Sequence, residues 1–508
     1  MTRISKPFVL SAGLVAGSLA SPWAGALAAP ALAAQAPSGD AAADQARALL
    51  EDGLEYWNEG KYKQALDNFN TIVNGFSGTE YIDDALLYLG RHEADVVGDV
   101  SAAREKFEAV AQRFPQNDQA PGAYYWLGML TMQQATTKAE LDDAMAQFDR
   151  VGRLYAASPW VPTAMYGAGR ALRKGADLEG ALERQRRVAM EYPTSEAAPM
   201  AQYEIGHLLA LMGQPLQAMG EFQKVRNAYP ESVWAKKALE RTTALYRFLG
   251  GRAKYRHDAS FSLSGGDVLK DVRAIQRDPA GNLWVASDKA KSVVPFDAAG
   301  KIGPSFGGRD FGDMALTSDG TLVIVAKTAV RVGRDLVKTF QIPGEKPQPL
   351  EKMLAAVVLP SGEFLVSDEK QKAVVRFDAT GQHVGPFGGS EAKEVTRMSL
   401  DPEGAIVLLD QRAEAVVVYD ATGRKLRTLA FRGAGYDLRG PVDVAVDESL
   451  NTYVVDKKSA VVYVFDSGGA ALGSIGAGIL KQPEALTLEP SGAVLVYDDG
   501  ARQVLRFH

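Results

Sequence analysis

The spacing of apolar residues changes once along the chain, near residue 250. From Asp44 to about Leu249 they recur at helical intervals, in segments separated by short breaks. That stretch predicts five helix pairs and a last helix over Ser232 to Leu249, stopped by Gly250-Gly251. Beyond it the pattern alternates as in strands, in short apolar runs bounded by Gly-containing turns.

The strand pattern repeats. A turn with Gly leads into an apolar strand that often ends at Asp, and then into a strand closing on Phe-Asp or Tyr-Asp. Clear copies run from Asp278-Pro279-Ala280-Gly281 to Asp288 and Phe296-Asp297, and from Asp401-Pro402-Glu403-Gly404 to Asp410 and Tyr419-Asp420. Asp288, Asp368, Asp410, Asp456 and Asp498 align as the strand-ending residue, and the second copy carries Ala326-Lys327 instead. A period of about 40 residues built from short strands predicts propeller blades, which only a closed ring can bury. Six copies fit. The last copy stops at Phe507-His508, one strand short, so Ala259-Ser260-Phe261-Ser262-Leu263 is expected to complete it.

The helical part repeats too. A Gly in the first helix of a pair is followed by a small Ala in the second: Gly53 and Ala65, Gly169 and Ala181, Gly206 and Ala218, with Gly90/Ala103 and Gly128/Ala144 as stretched copies. Tyr-x-x-Gly recurs at Tyr125, Tyr166 and Tyr203, and Phe69, Phe107, Phe148 and Phe222 follow from the second helices. Phe114-Pro115, Tyr192-Pro193 and Tyr229-Pro230 mark helix stops, because Pro cannot continue a helix.

These residues resemble the tetratricopeptide repeat, most closely over Gly60-Lys61-Tyr62-Lys63-Gln64-Ala65-Leu66-Asp67-Asn68-Phe69. The repeat length is similar to that of the envelope and outer-membrane assembly subgroup. The resemblance implies a right-handed solenoid with a concave face for peptides or protein partners, and no chemistry. The blade running from Gly440-Pro441-Val442-Asp443 through Asp456 to Val464-Phe465-Asp466 resembles the NHL repeat, although Lys457-Lys458 stands where that family has Asn-Arg. Together they imply a multidomain α + β protein: an N-terminal all-α solenoid over residues 44–250, then a C-terminal all-β six-bladed propeller over residues 255–508.

The N-terminal residues add a compartment. Residues 1–34 read as a secretory signal, with Arg3 and Lys6 ahead of an apolar stretch from Phe8 to Ala20, and with Ala26-Leu27-Ala28 and Ala31-Leu32-Ala33 as cleavage sites. An uncleaved anchor is the competing reading, but the stretch is short, Ala/Gly-rich and broken by Pro22 and Pro30. Residues 35–43 read as a flexible lead-in. No stable membrane span is expected after cleavage, and a bacterial periplasmic or secreted location is.

Charge and cysteine count narrow the chemistry. The net charge is -6, with 30 Lys and Arg against 33 Asp and Glu from residue 255 onward and 26 against 29 before it. Neither half builds the positive field that nucleic acid requires. Cysteine is absent, which excludes disulfides, thiol nucleophiles, Cys-ligated metals and a lipid anchor on Cys.

No catalytic, cofactor or metal residue stands out. The repeated Asp residues obey the repeat, as turn caps do, whereas a catalytic group breaks it. His92, His207, His257, His383 and His508 have no metal-ligand spacing. The residues expected to meet a partner are Tyr125, Tyr166 and Tyr203, which compete with a role in inter-helix packing, and Arg184 and Arg187 of a basic run. The expected function is a non-enzymatic exported scaffold in bacterial envelope assembly or maintenance. Its solenoid would hold envelope proteins, and its propeller a protein or cell-wall glycan. A propeller hydrolase or lactonase with a central calcium is the alternative, and a secreted sensor module the second.

Overall fold

A computed structural model describes residues 40–508 apart from 98, 136, 249–253, 262, 264, 318, 334–335, 345 and 389–391. The expected signal segment, residues 35–39 of the lead-in and the Gly250-Gly251 break lie outside the described residues. Eleven α-helices precede the strands among those described: α1 (Asp40–Asn58), α2 (Tyr62–Gly75), α3 (Ile82–His92), α4 (Val100–Arg113), α5 (Ala120–Gln134), α6 (Lys138–Leu154), α7 (Val161–Lys174), α8 (Leu178–Glu191), α9 (Ala197–Leu211), α10 (Pro215–Ala228) and α11 (Val233–Tyr246). Helix α1 opens at Asp40, ahead of the expected start at Asp44, through the helix-favouring run Ala41-Ala42-Ala43. No described helix is long and apolar enough to cross a membrane.

Local chemistry sets the helix ends. Asp99, Asp177 and Ser232 accept the backbone N–H three residues on, and Thr137 with Glu140 closes a reciprocal capping box. The pairs are keyed by rings. A Cβ placed on Gly53, Gly90, Gly128 or Gly206 would lie 2.6–2.7 Å from the ring of Phe69, Phe107, Phe148 or Phe222. Each Gly is thus a notch for an aromatic four residues beyond the small Ala, and all four rings are buried. In the fourth pair Gln185 takes the ring's place against Gly169, and its Nε2 donates to the carbonyl of Tyr166 at 3.1 Å.

The strands form six antiparallel blades, each a meander whose first strand lies innermost: Val272–Arg277, Phe311–Leu316, Met353–Val358, Val395–Leu400, Pro441–Val446 and Pro483–Leu488. Five blades are four-stranded sheets, and the sixth has three strands ending at Gln503–Phe507. Its fourth place is taken from the start of the propeller, where His257 bridges Phe507. Arg256 N–H donates to His508 O at 2.8 Å, Asp258 N–H to Arg506 O at 2.8 Å, and His508 N–H to Arg256 O at 2.9 Å. The ring therefore closes a few residues before the expected Ala259–Leu263. Asp258 ends the strand there, because its carboxylate accepts the Ser260 N–H and turns the chain. Phe261 and Leu263 instead pack against an apolar cluster shared by blades 1 and 6.

The strand-ending Asp is a double clamp. In Asp410, Oδ1 accepts from the N–H groups of Arg412 and Ala413, while Oδ2 accepts from Lys393 N–H, which leads into the blade's first strand. Asp368, Asp456 and Asp498 repeat the arrangement. Blade 1 differs from the expected alignment. Strand register places Ser287 opposite Val272, where the other blades have Asp368, Asp410, Asp456 and Asp498. Its hydroxyl does the same work, donating to Lys270 O at 2.8 Å and accepting from Ala290 N–H at 3.1 Å. Asp288 is the residue after it. Ala326 fills the place in blade 2.

The described residues form two compact units that divide between Glu204 and Ile205, so α10, α11 and the end of α9 belong with the propeller. Two arginines of α11 and its C-terminal edge explain this. Arg241, 4% exposed, donates from Nη2 to Glu448 O at 3.2 Å and Ser449 Oγ at 3.0 Å, on a blade 5 turn. Arg247 donates to Ser491 O on the equivalent turn of blade 6. Phe248 and Tyr255 join the apolar cluster of blades 5 and 6, and the Tyr255 and Tyr453 hydroxyls are 2.9 Å apart.

Candidate functional site

The six inner strands bring one repeat position together at the propeller's centre. Two residues into each strand stand Ala274, Asp313, Ala355, Arg397, Asp443 and Ala485, all but Arg397 buried. Here the blades stop resembling one another. Arg397 of blade 4 donates from Nη1 to Gly312 O in blade 2 at 3.1 Å and to Thr396 O at 3.0 Å, and from Nη2 to Arg273 O in blade 1 at 3.0 Å. Its Nε lies 3.6 Å from Asp313 Oδ1 and 3.5 Å from Asp443 Oδ1.

Both carboxylates are also held by backbone. Asp313 accepts from Met314 N–H at 2.8 Å and Met398 N–H at 3.1 Å, and Asp443 from Val444 N–H and Leu486 N–H, each at 2.8 Å. Burial pushes both carboxyls upward and Arg397 opposes the rise, while the Asp443 charge adds to that of Asp313. The cluster thus carries its own cation, and all four carboxylate oxygens already have partners. A bound calcium takes six to eight oxygen ligands, which this arrangement does not offer.

Among the described residues, one trio of carboxylates lies close enough to share a metal: Asp83, Asp84 and Asp118 in the solenoid. Asp83 accepts from Asn117 Nδ2 at 3.0 Å and Gln119 N–H at 3.3 Å, and Asp84 from Gln119 Nε2 at 2.8 Å. These bonds tie α3 to the turn before α5. The five histidines form no such group among the described residues.

In the solenoid, Tyr125, Tyr166 and Tyr203 are 5%, 7% and 8% exposed. Tyr125 packs against Phe148 and Trp160, with ring centroids 5.8 and 5.6 Å away, and burial pushes the Tyr166 hydroxyl up to about 12. These rings offer a partner little surface. Arg184 and Arg187 do reach one pocket, of about 330 Å³, between α6, α7 and α8. Phe148, Val161, Met165 and Tyr192 give it an apolar wall, and Asp149, Arg153, Arg184 and Arg187 its charge. Arg184 pairs with Asp149 at 2.9 Å, and Arg187 with Glu191 at 2.9 Å. Arg153 has no ion-pair or hydrogen-bond partner among the described residues.

Sequence reasoning missed Arg153 and a second feature, the buried Arg91. Its guanidinium lies 5.2, 4.9 and 5.2 Å from the ring centroids of Trp57, Tyr88 and Trp126. Three aromatics at first-helix positions of successive pairs were the available signal.

No protein-family profile matches the chain, and no curated protein matches it. Solved structures match its propeller half. A streptogramin B lyase shares 11% identity over 50% of this chain and 97% of its own, with a TM-score of 0.38. An auxiliary nutrient binding protein from Bacteroides thetaiotaomicron shares 12% over 49% and 74%, with a TM-score of 0.37. A putative gluconolactonase shares 13% over 50% and 91%, also at 0.37. The chain is a helical repeat array followed by a six-bladed β-propeller, and it is similar at this distance to propellers whose names span lyases, lactonases and binding proteins.

Proposed function

We propose that this protein is a non-enzymatic, exported scaffold that binds an envelope protein through its tetratricopeptide-like helices and a protein or glycan through its NHL-like propeller. The observation that supports this reading is the Arg397 cluster. It is where the inner strands carry charge in place of alanine, and its charges are spent on one another and on backbone. What remains is surface on two rigid repeat platforms, which suits recognition by shape. The signal-like residues 1–34 support export, and the setting in envelope assembly or maintenance follows from the resemblance of the helical repeats.

The test is site-specific photocrosslinking in the full chain, in cells, with a photoreactive residue at exposed Met190 in the solenoid or exposed Val384 in the propeller. Reproducible capture of a defined envelope protein or glycan from either position is expected. Failure to capture any, with the chain exported and folded, would end the scaffold reading.

A further inference from the structure

We infer that the pocket between α6, α7 and α8 is a docking site for an acidic peptide segment of a partner protein, one that carries an apolar side chain beside its carboxylates. This rests on the scaffold reading and gives the partner a chemistry.

Three observations converge. The first is charge. The pocket presents Arg153, Arg184 and Arg187, with Asp149 in its lining and Glu191 paired to Arg187 beside it, which leaves one cation in excess on a helical half whose acids outnumber its bases. Arg184 and Arg187 already hold one carboxylate each, Asp149 and Glu191, so the uncompensated cation of the pocket is Arg153. Arg153, exposed on the last turn of α6, has none among the described residues. An incoming carboxylate would take Arg153 first and could share Arg187, whose pair with Glu191 is half exposed and cheaply exchanged.

The second is the wall. Phe148, Val161, Met165 and Tyr192 make one side of the pocket apolar. A simple inorganic anion has no use for that wall, whereas a peptide with a Leu or Phe next to its acid buries it.

The third is Gly152. It lines the pocket from within α6, where Gly is a poor helix former, and nothing in its surroundings requires Gly. It has no positive φ, and a Cβ built on it meets nothing within 4 Å. Counting from the notch ring of each pair, the matching positions hold Val73, Ala111, Ala189 and Arg226. The missing side chain leaves room at the one pocket that the arginines surround.

The experiment is fluorescence polarisation on the exported full chain. The probes are a labelled peptide of Glu, Asp, Leu and Phe, the same peptide with Gln and Asn for the acids, and inorganic phosphate as competitor. The acidic peptide is expected to bind at least tenfold more tightly than the amide version and to weaken steeply as salt rises. Arg153→Ala should weaken it severalfold, and Gly152→Leu should abolish binding while the melting temperature holds or rises. Equal binding of the acidic and amide peptides would overturn the proposal. So would displacement by phosphate at the same concentration as by free acidic peptide, which would make this a plain anion site. If Met190 crosslinks capture a partner that Gly152→Leu captures equally well, the pocket assignment falls and the scaffold reading stands.

Discussion

The guanidinium of Arg397, on the inner strand of blade 4, donates from Nη2 to the backbone carbonyl of Arg273 in blade 1 at 3.0 Å. The same side chain holds Gly312 O in blade 2 and lies beside Asp443 in blade 5. Removing it strands two buried carboxylates. Arg397→Leu is expected to destabilise the propeller by about 3–5 kcal/mol, since breaking a buried ion pair from one side leaves uncompensated charge. Adding Asp313→Asn and Asp443→Asn should recover part of that loss. Chemical denaturation of the three proteins checks it, and an unchanged midpoint for Arg397→Leu would refute the staple.

Calcium addresses the alternative reading directly. Because Arg397 stands between the two carboxylates, millimolar calcium is expected to leave the melting temperature of the wild type unchanged, and chelation likewise. A calcium-dependent rise in the wild type would favour the metal-centred propeller enzyme instead.

The pH dependence of the same pair has a definite sign. Both aspartates have folded-state pKa values raised by burial above the usual carboxylate range. In the window between the unfolded and folded values the native state binds more protons, so stability increases as pH falls through the folded values and levels off below the unfolded one. Asp313→Asn removes one titrating group. The wild type should therefore gain on this variant between about pH 8 and pH 5. A stability gap that is flat over that range would show that the pair does not titrate there.

The notch glycines and Gly152 make a paired test in the solenoid. Gly128→Ala drives a Cβ to 2.7 Å from the buried ring of Phe148 and is expected to cost about 1–3 kcal/mol. Gly152→Ala meets nothing and should stabilise by about 0.5–1 kcal/mol through helix propensity. Thermal unfolding followed by circular dichroism separates the two, and equal effects would contradict the notch.

Ring closure depends on few bonds. Arg256→Pro deletes the N–H that meets His508 O. Amides of Gln503–Phe507 should then exchange with solvent much faster than those of the inner strand Pro483–Leu488, measured by mass spectrometry. Unchanged protection would mean that the bridge at His257 does not hold the seam.

Much of this was legible in the chain. The periodic Asp residues announced both the blades and their own role, because a carboxylate at a fixed place after each strand suits a turn with free N–H groups. The register slipped by one in blade 1, since Ser287 does the capping and Asp288 beside it has the expected letter. The closing strand was placed late because Arg256 and Asp258 are polar and hide the alternation that Phe261 and Leu263 display, although those two only pack. The Arg397 cluster was missed for a deeper reason. Its members lie 84 and 46 residues from Arg397 along the sequence, and each reads alone as one polar residue in an apolar strand. Lining up the six inner strands would have exposed Asp, Arg and Asp among alanines. Likewise the Gly, Ala and Phe spacing in the helices was visible, but that each ring seats against the Gly of its own pair becomes evident only in three dimensions.

Arg397 also changes how the disc should yield to force. A ring of blades that touched only their neighbours could peel open one sector at a time from the seam. A cross-brace reaching blades 1, 2 and 5 from blade 4 links opposite sectors. Pulled by its ends in an optical trap, the disc should give way in a single rip at the hub rather than in a series of small steps.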